Sequence, residues 1–113
     1  MNVAVVVPTY EEAGNIERLI DGVRTALPAA TILVVDDASP DGTADVAQAA
    51  GERLGNVDVL RRAGKSGLGA AYRAGFAAAL AAGADICVQM DADLSHDPAE
   101  LPALVANVEL GAD

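Results

Sequence analysis

Two aspartates separated by one residue follow the last strongly apolar run of the chain. Asp91 and Asp93 flank Ala92 directly after residues 86–90. Side chains alternate along an extended chain, so both carboxylates are expected on one side, about 6–7 Å apart. Mg2+ and Mn2+ accept carboxylate, phosphate and water oxygens as ligands. The spacing therefore indicates a divalent-cation site that bridges to phosphates; the alternative is an acidic turn at the start of a helix.

A second candidate group follows the first apolar run, residues 2–7. Pro8 is expected to end a strand there, and Tyr10 and Glu12 fall on the loop after it. An exposed aromatic ring can stack on a nucleobase, and a carboxylate can accept hydrogen bonds from a base or a ribose. The alternative is a plain strand-to-helix turn, in which acidic residues suit the positive end of the helix dipole.

Acidic residues also follow the second apolar run, residues 31–36. Asp36 and Asp37 are adjacent, so their side chains point to opposite faces of an extended chain and only one faces a ligand crevice. Asp41 lies in a Pro-Asp-Gly turn and is predicted to be structural. Thr43 is predicted to be the N-cap of the helix that follows.

The third segment, residues 64–69, has the sequence GKSGLG and contains Lys65, the only lysine. Glycines and a serine before a helix can form an anion site lined by backbone amides. Their order matches neither the P-loop nor the GxGxxG fingerprint of dinucleotide-binding folds. His96 is expected in an exposed loop without a ligand or acid–base role. Cys87 is expected in a buried strand without a catalytic role, because no basic partner is visible.

These segments must be positioned by strands, because each one comes at the end of an apolar run. The runs are rich in β-branched residues and do not alternate, which is typical of parallel strands covered on both faces. Four strands are predicted on this basis, over residues 2–7, 31–36, 57–60 and 86–90.

Amphipathic stripes predict four helices, over residues 16–27, 46–54, 68–80 and 101–108. The start of the last one is marked by Asp97 as N-cap, by Pro98, and by Glu100 in a capping-box position. The alternating order predicts an α/β fold, a doubly wound, mostly parallel, Rossmann-like sheet with helices on both faces. Ligands of such sheets bind beyond the carboxyl ends of the strands, where all the candidate residues fall.

The composition limits the class of protein. The chain has 113 residues, 7 basic against 17 acidic, for a formal net charge of −10, and one cysteine. The length predicts a single domain over residues 1–113. The acidic balance argues against nucleic acid as a partner, and one cysteine excludes an internal disulfide. No run reaches the roughly 18 apolar residues of a membrane span, and the start lacks a basic leader region, so a cytoplasmic location is expected.

Four segments, in this order, resemble one protein family. They are VPTYEE at 7–12, VVDDASPDGT at 34–43, GKSGLG at 64–69 and MDADLSH at 90–96. Together they are similar to the family 2 glycosyltransferases, which have the GT-A fold, and within these to the polyprenol (dolichol) phosphate mannosyltransferases. The resemblance covers nearly the whole chain and implies the nucleotide-binding half of a GT-A domain.

The resemblance implies roles for particular residues. The residues implied to bind substrate are Pro8, Tyr10, Glu12, Val35, Asp37, Lys65, Asp91, Ala92 and Asp93. The first five would contact the guanosine of the donor, and Lys65 would approach the donor or a lipid phosphate. Residues 91–93 would hold the diphosphate and its Mg2+ or Mn2+, with Asp91 and Asp93 as the metal ligands and catalytic residues of the DXD motif.

The implied reaction transfers mannose from GDP-mannose to a polyprenyl phosphate with inversion at the anomeric carbon. The lipid phosphate is already anionic near neutral pH, since the second pKa of a phosphate monoester is about 6, so a general base is less necessary than for a sugar hydroxyl acceptor. The lipid acceptor implies peripheral contact with the cytoplasmic face of the membrane, through segments missing or separate from this chain.

Several alternatives stay open from the sequence. The same scaffold serves glucosyl or aminosugar transfer to undecaprenyl phosphate. A receiver domain has a similar length and a Val-Asp-Asp strand end, but its acid pair follows the first strand, and an NAD-binding module needs a glycine fingerprint there. Residues 110–113 (LGAD) are similar to residues 82–85 (AGAD), which directly precede the fourth predicted strand. This similarity predicts a domain that is truncated before a fifth strand, binds nucleotide weakly and does not turn over.

Overall fold

A computed structural model describes residues 2–64 and 67–109, without the side chains of residues 68 and 107–109. Strands and helices alternate along it as the sequence predicts. The strands are β1 (Val3–Thr9), β2 (Thr31–Asp36), β3 (Val57–Arg61) and β4 (Ile86–Gln89). The helices are α1 (Ile16–Ala26), α2 (Thr43–Leu54), α3 (Leu68–Ala81) and α4 (Leu101–Glu109), the last preceded by a 3-10 turn over Pro98–Glu100.

The four strands form one parallel sheet in the order β3-β2-β1-β4. The chain first builds β1, β2 and β3 toward one side and then crosses over to place β4 on the other side of β1. Val5 of β1 is in register with Ile32 on one side and with Val88 on the other. The predicted α/β fold with a parallel sheet is confirmed.

Both faces of the sheet are covered, which explains why the strands do not alternate between apolar and polar residues. On one face, Val5 and Val7 pack with buried residues of α1, α2 and α4. On the other face, Val6 and Val35 pack against α3. Two predicted stripe residues, Leu80 and Leu104, are instead 61% and 46% exposed. α3 packs mainly against the sheet, so the apolar stripe that it buries is narrower than the one in its sequence.

Pro8 does not end the first strand, as the sequence analysis expects. β1 continues to Thr9, with Pro8 in register with Val35 of β2. In a parallel strand, the N–H and C=O of one residue point to the same side, and those of the next residue point to the opposite side. The Val6 carbonyl accepts the amide of Met90, which directly follows β4, so Val6 faces β4. Pro8 therefore faces the same side, beyond the last β1–β4 pair, so its missing N–H costs no bond of the ladder.

Two predicted helix caps are also wrong in their details. Gly42 is the N-cap of α2 and Thr43 is the first helical residue, with its hydroxyl donating to Asp41. The Asp97 carboxylate accepts a bond from the Ala99 amide at 3.0 Å, but it caps the 3-10 turn and not α4 itself. No helix in residues 2–64 and 67–109 has both the length and the apolar content to cross a membrane.

α3 lies so close to the sheet that Gly75 has no room for a side chain. A Cβ there would collide with Val6 Cγ1 and would lie 2.9 Å from Val35 Cγ2. We expect Gly75→Ala to lower the free energy of unfolding by about 1–3 kcal/mol, although alanine adds up to about 1 kcal/mol of helix propensity. Urea denaturation measures the change.

Gly69→Ala, in the same helix, is the matched control. Its nearest new neighbour is the far end of the Arg73 side chain, 3.3 Å away. Helix propensity then acts alone, so this variant should be as stable as the parent chain or more stable. Equal stability of the Gly75→Ala and Gly69→Ala variants would contradict the close approach of α3.

Candidate active site

A cleft lies beyond the carboxyl ends of the strands, above β1. At β1 the strand order reverses, with β2 and β3 on one side and β4 on the other. This is where parallel α/β sheets bind ligands. The cleft has a volume of about 330 Å³ and is formed by the loops after β1, β2 and β4 and by the start of α3. Its lining residues are Pro8, Thr9, Tyr10, Glu12, Asp37, Gly67, Ala71, Asp91, Ala92 and Asp93.

The two aspartates after β4 both line the cleft, but not along an extended chain. β4 ends at Gln89, and the backbone turns over residues 92–94, with Leu94 at a φ of 63°. The side chain of Leu94 packs against the larger core cluster and thereby holds this turn. The predicted extended arrangement of Asp91 and Asp93 is wrong, while their presence in one cleft agrees with the sequence.

Each of these carboxylates has its own hydrogen-bond donor. The Tyr72 hydroxyl donates to Asp91 Oδ1 at 2.7 Å, and the Ser95 amide donates to Asp93 Oδ1 at 3.0 Å. The hydroxyl and amide of Ser95 hold the pKa of Asp93 below its usual value. Burial of Tyr72 and its bond to Asp91 raise the pKa of the Tyr72 phenol, so it stays protonated and donates.

The donor set fits a cation that is shared with phosphate. Asp91 and Asp93 supply carboxylate oxygens, and the described part of the chain contains no group of three or more His, Cys, Asp or Glu that could hold a metal. Mg2+ is commonly held by one or two carboxylates together with substrate phosphates rather than by a full protein cage. His96 is exposed and does not line this cleft.

On the β1–α1 loop, Tyr10 and Glu12 line the same cleft, and Tyr10 is 37% exposed. The Glu12 carboxylate accepts a bond from Asn15 Nδ2 at 3.1 Å, and the Glu12 carbonyl accepts the amides of Asn15 and Ile16. Glu12 is thus held at the start of α1 with its side chain toward the ligand space. The structure therefore brings both sequence-predicted groups, the acid pair and this loop, together.

The SPDGT segment after β2 fastens the β1–α1 loop, a function that the sequence reading missed. Ser39 Oγ accepts the amide of Glu11 at 2.8 Å, and Thr43 Oγ1 accepts the amide of Glu12 at 3.0 Å. Asp41 Oδ2 accepts the next amide, that of Ala13, at 3.2 Å. The signal was in the sequence: three short acceptor side chains at alternate positions, 39, 41 and 43. The structural assignment of Asp41 is confirmed, and its bond from Thr43 lowers its pKa.

Asp36 and Asp37 are both buried and point in different directions, as their adjacency predicts. Asp36 accepts the Thr9 hydroxyl at 2.7 Å, the Ser39 hydroxyl at 2.6 Å and the Ser39 amide at 3.0 Å. Asp37 faces the cleft, and its Oδ1 lies 3.4 Å from Arg62 Nη1. Asp36 is therefore the acid that supports the loops, and Asp37 is the acid available to a ligand.

One predicted binding residue, Val35, does not reach the cleft, and another, Lys65, is not described. Val35 is fully buried, and its side chain packs against α3 in the smaller core cluster, below Gly75. It does not line the cleft. Lys65 lies outside the described residues, as do residues 110–113, on which the predicted truncation depends.

Three of the four described non-glycine residues with positive φ lie around the cleft, and the fourth, Asn56, lies before β3. Glu11, Ala38 and Leu94 have φ values of 57°, 57° and 63°, and each lies in the loop after a different strand. Positive φ is uncommon for residues other than glycine, and such strain persists only where the surroundings fix it, often at ligand sites. The loops that carry the candidate ligand residues are therefore held in place by their hydrogen bonds and packing.

The cleft is strongly acidic. Glu12, Asp37, Asp91 and Asp93 line it, and Arg62 is a basic residue within reach of one of them. These carboxylates repel an anionic ligand such as a phosphate unless a cation accompanies it. The charge and the donor set therefore both favour a divalent cation as part of the ligand.

Known proteins are similar to this chain in sequence and in fold. Residues 4–113 match the model of glycosyl transferase family 2. An undecaprenyl-phosphate mannosyltransferase from Micrococcus luteus is 46% identical over 96% of this chain and 44% of its own length. A polyprenol monophosphomannose synthase from Mycolicibacterium smegmatis is 47% identical over 96% of this chain and 42% of its own length. The chain thus spans less than half the length of these relatives.

The fold is similar to that of a mannosyltransferase from Pyrobaculum calidifontis, solved in complex with GDP-Man and Mn2+. The TM-score is 0.79 at 28% identity, and the match covers 99% of this chain and 32% of the other. The sheet is that of the nucleotide-binding half of a GT-A fold. A receiver domain and an NAD-binding module are thereby excluded. The chain belongs to glycosyl transferase family 2.

Proposed function

We propose that this chain is the donor-binding part of a transferase that passes mannose from GDP-mannose to a polyprenyl phosphate, with inversion. The observation that carries the proposal is the meeting of Tyr10, Glu12 and Asp37 with Asp91 and Asp93 in one acidic cleft. The names of the relatives support the sugar and the acceptor class.

The nucleoside is assigned to the side of the cleft formed by the loops after β1 and β2. The Tyr10 ring is exposed enough to stack on a base, and such stacking is worth about 1–3 kcal/mol. The carboxylates of Glu12 and Asp37 are the acceptors for base and ribose donors. Contacts from Pro8 and Val35 to the nucleoside, and from Lys65 to a phosphate, remain predictions from the family resemblance.

The diphosphate is assigned to residues 91–93, with Asp91 and Asp93 holding Mg2+ or Mn2+. A bound divalent cation supplies Lewis-acid neutralisation of the charge that develops on the leaving diphosphate. The described side chains that line the cleft do not supply the neutralising positive charge, since they include four carboxylates and no basic group. Ala92 is 3% exposed and places no side chain in the way of the phosphates.

The acceptor chemistry needs little from this half of the protein. An oxygen of the lipid phosphate forms the bond to the anomeric carbon while the bond to the GDP oxygen breaks, and that electron pair leaves with GDP. The attacking oxygen is already anionic near neutral pH. The matched relatives are more than twice as long as this chain, and we propose that acceptor binding, contact with the cytoplasmic face of the membrane and turnover depend on segments missing or separate from it.

The test is a panel of labelled nucleotide sugars, with ligand binding followed by equilibrium dialysis at high protein concentration because the expected affinity is low. We expect GDP-mannose and GDP to bind in the presence of Mn2+ and to lose binding when EDTA removes it. A preference for UDP-linked glucose or an aminosugar would favour the alternative donors instead. Binding of none of these nucleotides with Mn2+ present would overturn the assignment of the cleft.

A further inference from the structure

A hydrogen bond joins α3 to one member of the acid pair. The Tyr72 hydroxyl donates to Asp91 Oδ1 at 2.7 Å, over 19 residues of sequence. Tyr72 is partly buried and is not among the residues that line the cleft. It therefore contacts Asp91 from behind and leaves the space in front of the carboxylate to a ligand.

The position of the Tyr72 ring is fixed from two directions. The ring stacks on Phe76, one turn later in α3, with centroids 5.8 Å apart and an angle of 20° between the planes. Below it, Gly75 holds α3 against Val6 and Val35 of the sheet. The hydroxyl is thus placed by the packed scaffold and not by a loop.

The two aspartates differ in which part of the structure supplies their hydrogen-bond donor. Asp93 is exposed, and its hydrogen bond comes from Ser95 within the same turn. Asp91 is partly buried and is hydrogen-bonded to Tyr72 of α3, a residue outside its own loop. Carboxylates that bind metals are commonly held by such outer hydrogen bonds, and loss of one typically costs about 10- to 100-fold in affinity or activity.

We propose that Tyr72 is a positioning residue that orients the Asp91 carboxylate toward the cation and the diphosphate of the donor. This inference rests on the proposed function of the cleft. The hydroxyl takes one lone pair of Oδ1 and fixes the plane of the carboxylate, so that the remaining lone pairs face the ligand without a search over rotamers. Because Tyr72 is on α3, the same helix that follows Gly67 at the cleft, binding geometry is set by the core packing of α3.

The experiment removes only the hydroxyl. Tyr72→Phe keeps the ring and its stacking on Phe76, and Mn2+ affinity is measured by water-proton relaxation, with and without GDP. We expect Mn2+ to bind about 10-fold more weakly to Tyr72→Phe, within the range for outer hydrogen bonds of metal ligands. Binding of GDP without metal should stay at the level of the parent chain.

Phe76→Leu is the matched control: it removes the ring stacking, while the close approach at Gly75 still holds α3 to the sheet and keeps the Tyr72 hydroxyl at Asp91. We expect it to lower the melting temperature and to leave Mn2+ affinity close to that of the parent chain. Asp93→Asn shows how much of the relaxation signal comes from the cleft and how much from other acidic residues.

The outcomes separate the two proposals. If the parent chain gives no Mn2+ signal that depends on Asp93, the proposed function fails and this inference fails with it. If the parent chain binds Mn2+ and Tyr72→Phe binds it equally well, only the positioning role is overturned. Equal losses of affinity in Tyr72→Phe and Phe76→Leu, each in step with lost stability, would reduce Tyr72 to a packing residue and also overturn it.

Discussion

Asp93→Asn is expected to abolish the Mn2+-dependent binding of GDP-mannose and to leave the fold intact. Asp93 is exposed, and an asparagine oxygen can still accept the Ser95 amide that now bonds Asp93 Oδ1. The charge that attracts the cation is lost. Loss of an outer partner of a metal ligand already costs about 10- to 100-fold, so loss of the ligand itself should cost at least about 100-fold. Mn2+ titrations at fixed GDP-mannose, with a thermal melt of each protein, measure both effects.

Asp97→Asn is the control for this prediction. It makes the same change four residues further on, where the Asp97 carboxylate caps the 3-10 turn through the Ala99 amide at 3.0 Å. Asp97 does not line the cleft with Asp91 and Asp93. Its substitution should leave Mn2+ affinity unchanged, whereas a similar loss in both variants would mean that the cation is bound by the general negative charge and not by the acid pair.

The strands and their order along the chain were accessible from the sequence because burial on both faces leaves a simple pattern. The run at residues 31–36 matches β2, and the run at 57–60 is one residue shorter than β3. The ends were harder. Pro8 lacks an N–H, which is a reason for a strand to end. Pro8 faces β4, however, and lies beyond the last β1–β4 pair, so β1 continues along β2.

The position of the acidic side chains at one edge of the sheet was also predictable, since parallel strands bring their carboxyl ends to one edge, whereas Val35 lies below the cleft. What the sequence did not contain was the arrangement of side chains within the cleft. The bond from Tyr72 to Asp91 depends on how closely α3 approaches the sheet at Gly75, and the pair of Asp37 and Arg62 depends on the neighbouring ends of β2 and β3. Such contacts are set by packing in three dimensions and have no fixed spacing along the chain.

Alternation shows that Asp36 and Asp37 point apart, but it does not say which one faces the ligand. The resemblance to the family placed Asp37 at the donor, and the structure gives the other acid a distinct use. Asp36 accepts Ser39, and Ser39 in turn accepts the amide of Glu11 on the β1–α1 loop. The buried acid thus reaches the cleft through a chain of hydrogen bonds.

Asp36→Ala is expected to give one of the largest losses of stability in this chain. Asp36 is 2% exposed, and its removal leaves the Thr9 hydroxyl, the Ser39 hydroxyl and the Ser39 amide without their acceptor. Hydrogen bonds to charged groups contribute about 1.5–3 kcal/mol each, and unsatisfied buried donors add a penalty. Because such losses at neighbouring groups are not additive, we expect the free energy of unfolding to fall by about 3 kcal/mol.

GDP binding distinguishes this prediction from the effect of an ordinary core defect, because Asp36 also supports the loop after β1. Without Asp36, Ser39 loses the acceptor that orients its hydroxyl toward Glu11, so the loop that carries Tyr10 and Glu12 loosens and GDP binds more weakly even where the protein is folded. Asp58→Ala, at an exposed acid of β3, is the control and should change neither quantity. Urea denaturation and GDP binding well below the denaturation midpoint measure the two effects. A large loss of stability with unchanged GDP affinity would break the proposed link from Asp36 through Ser39 to the cleft.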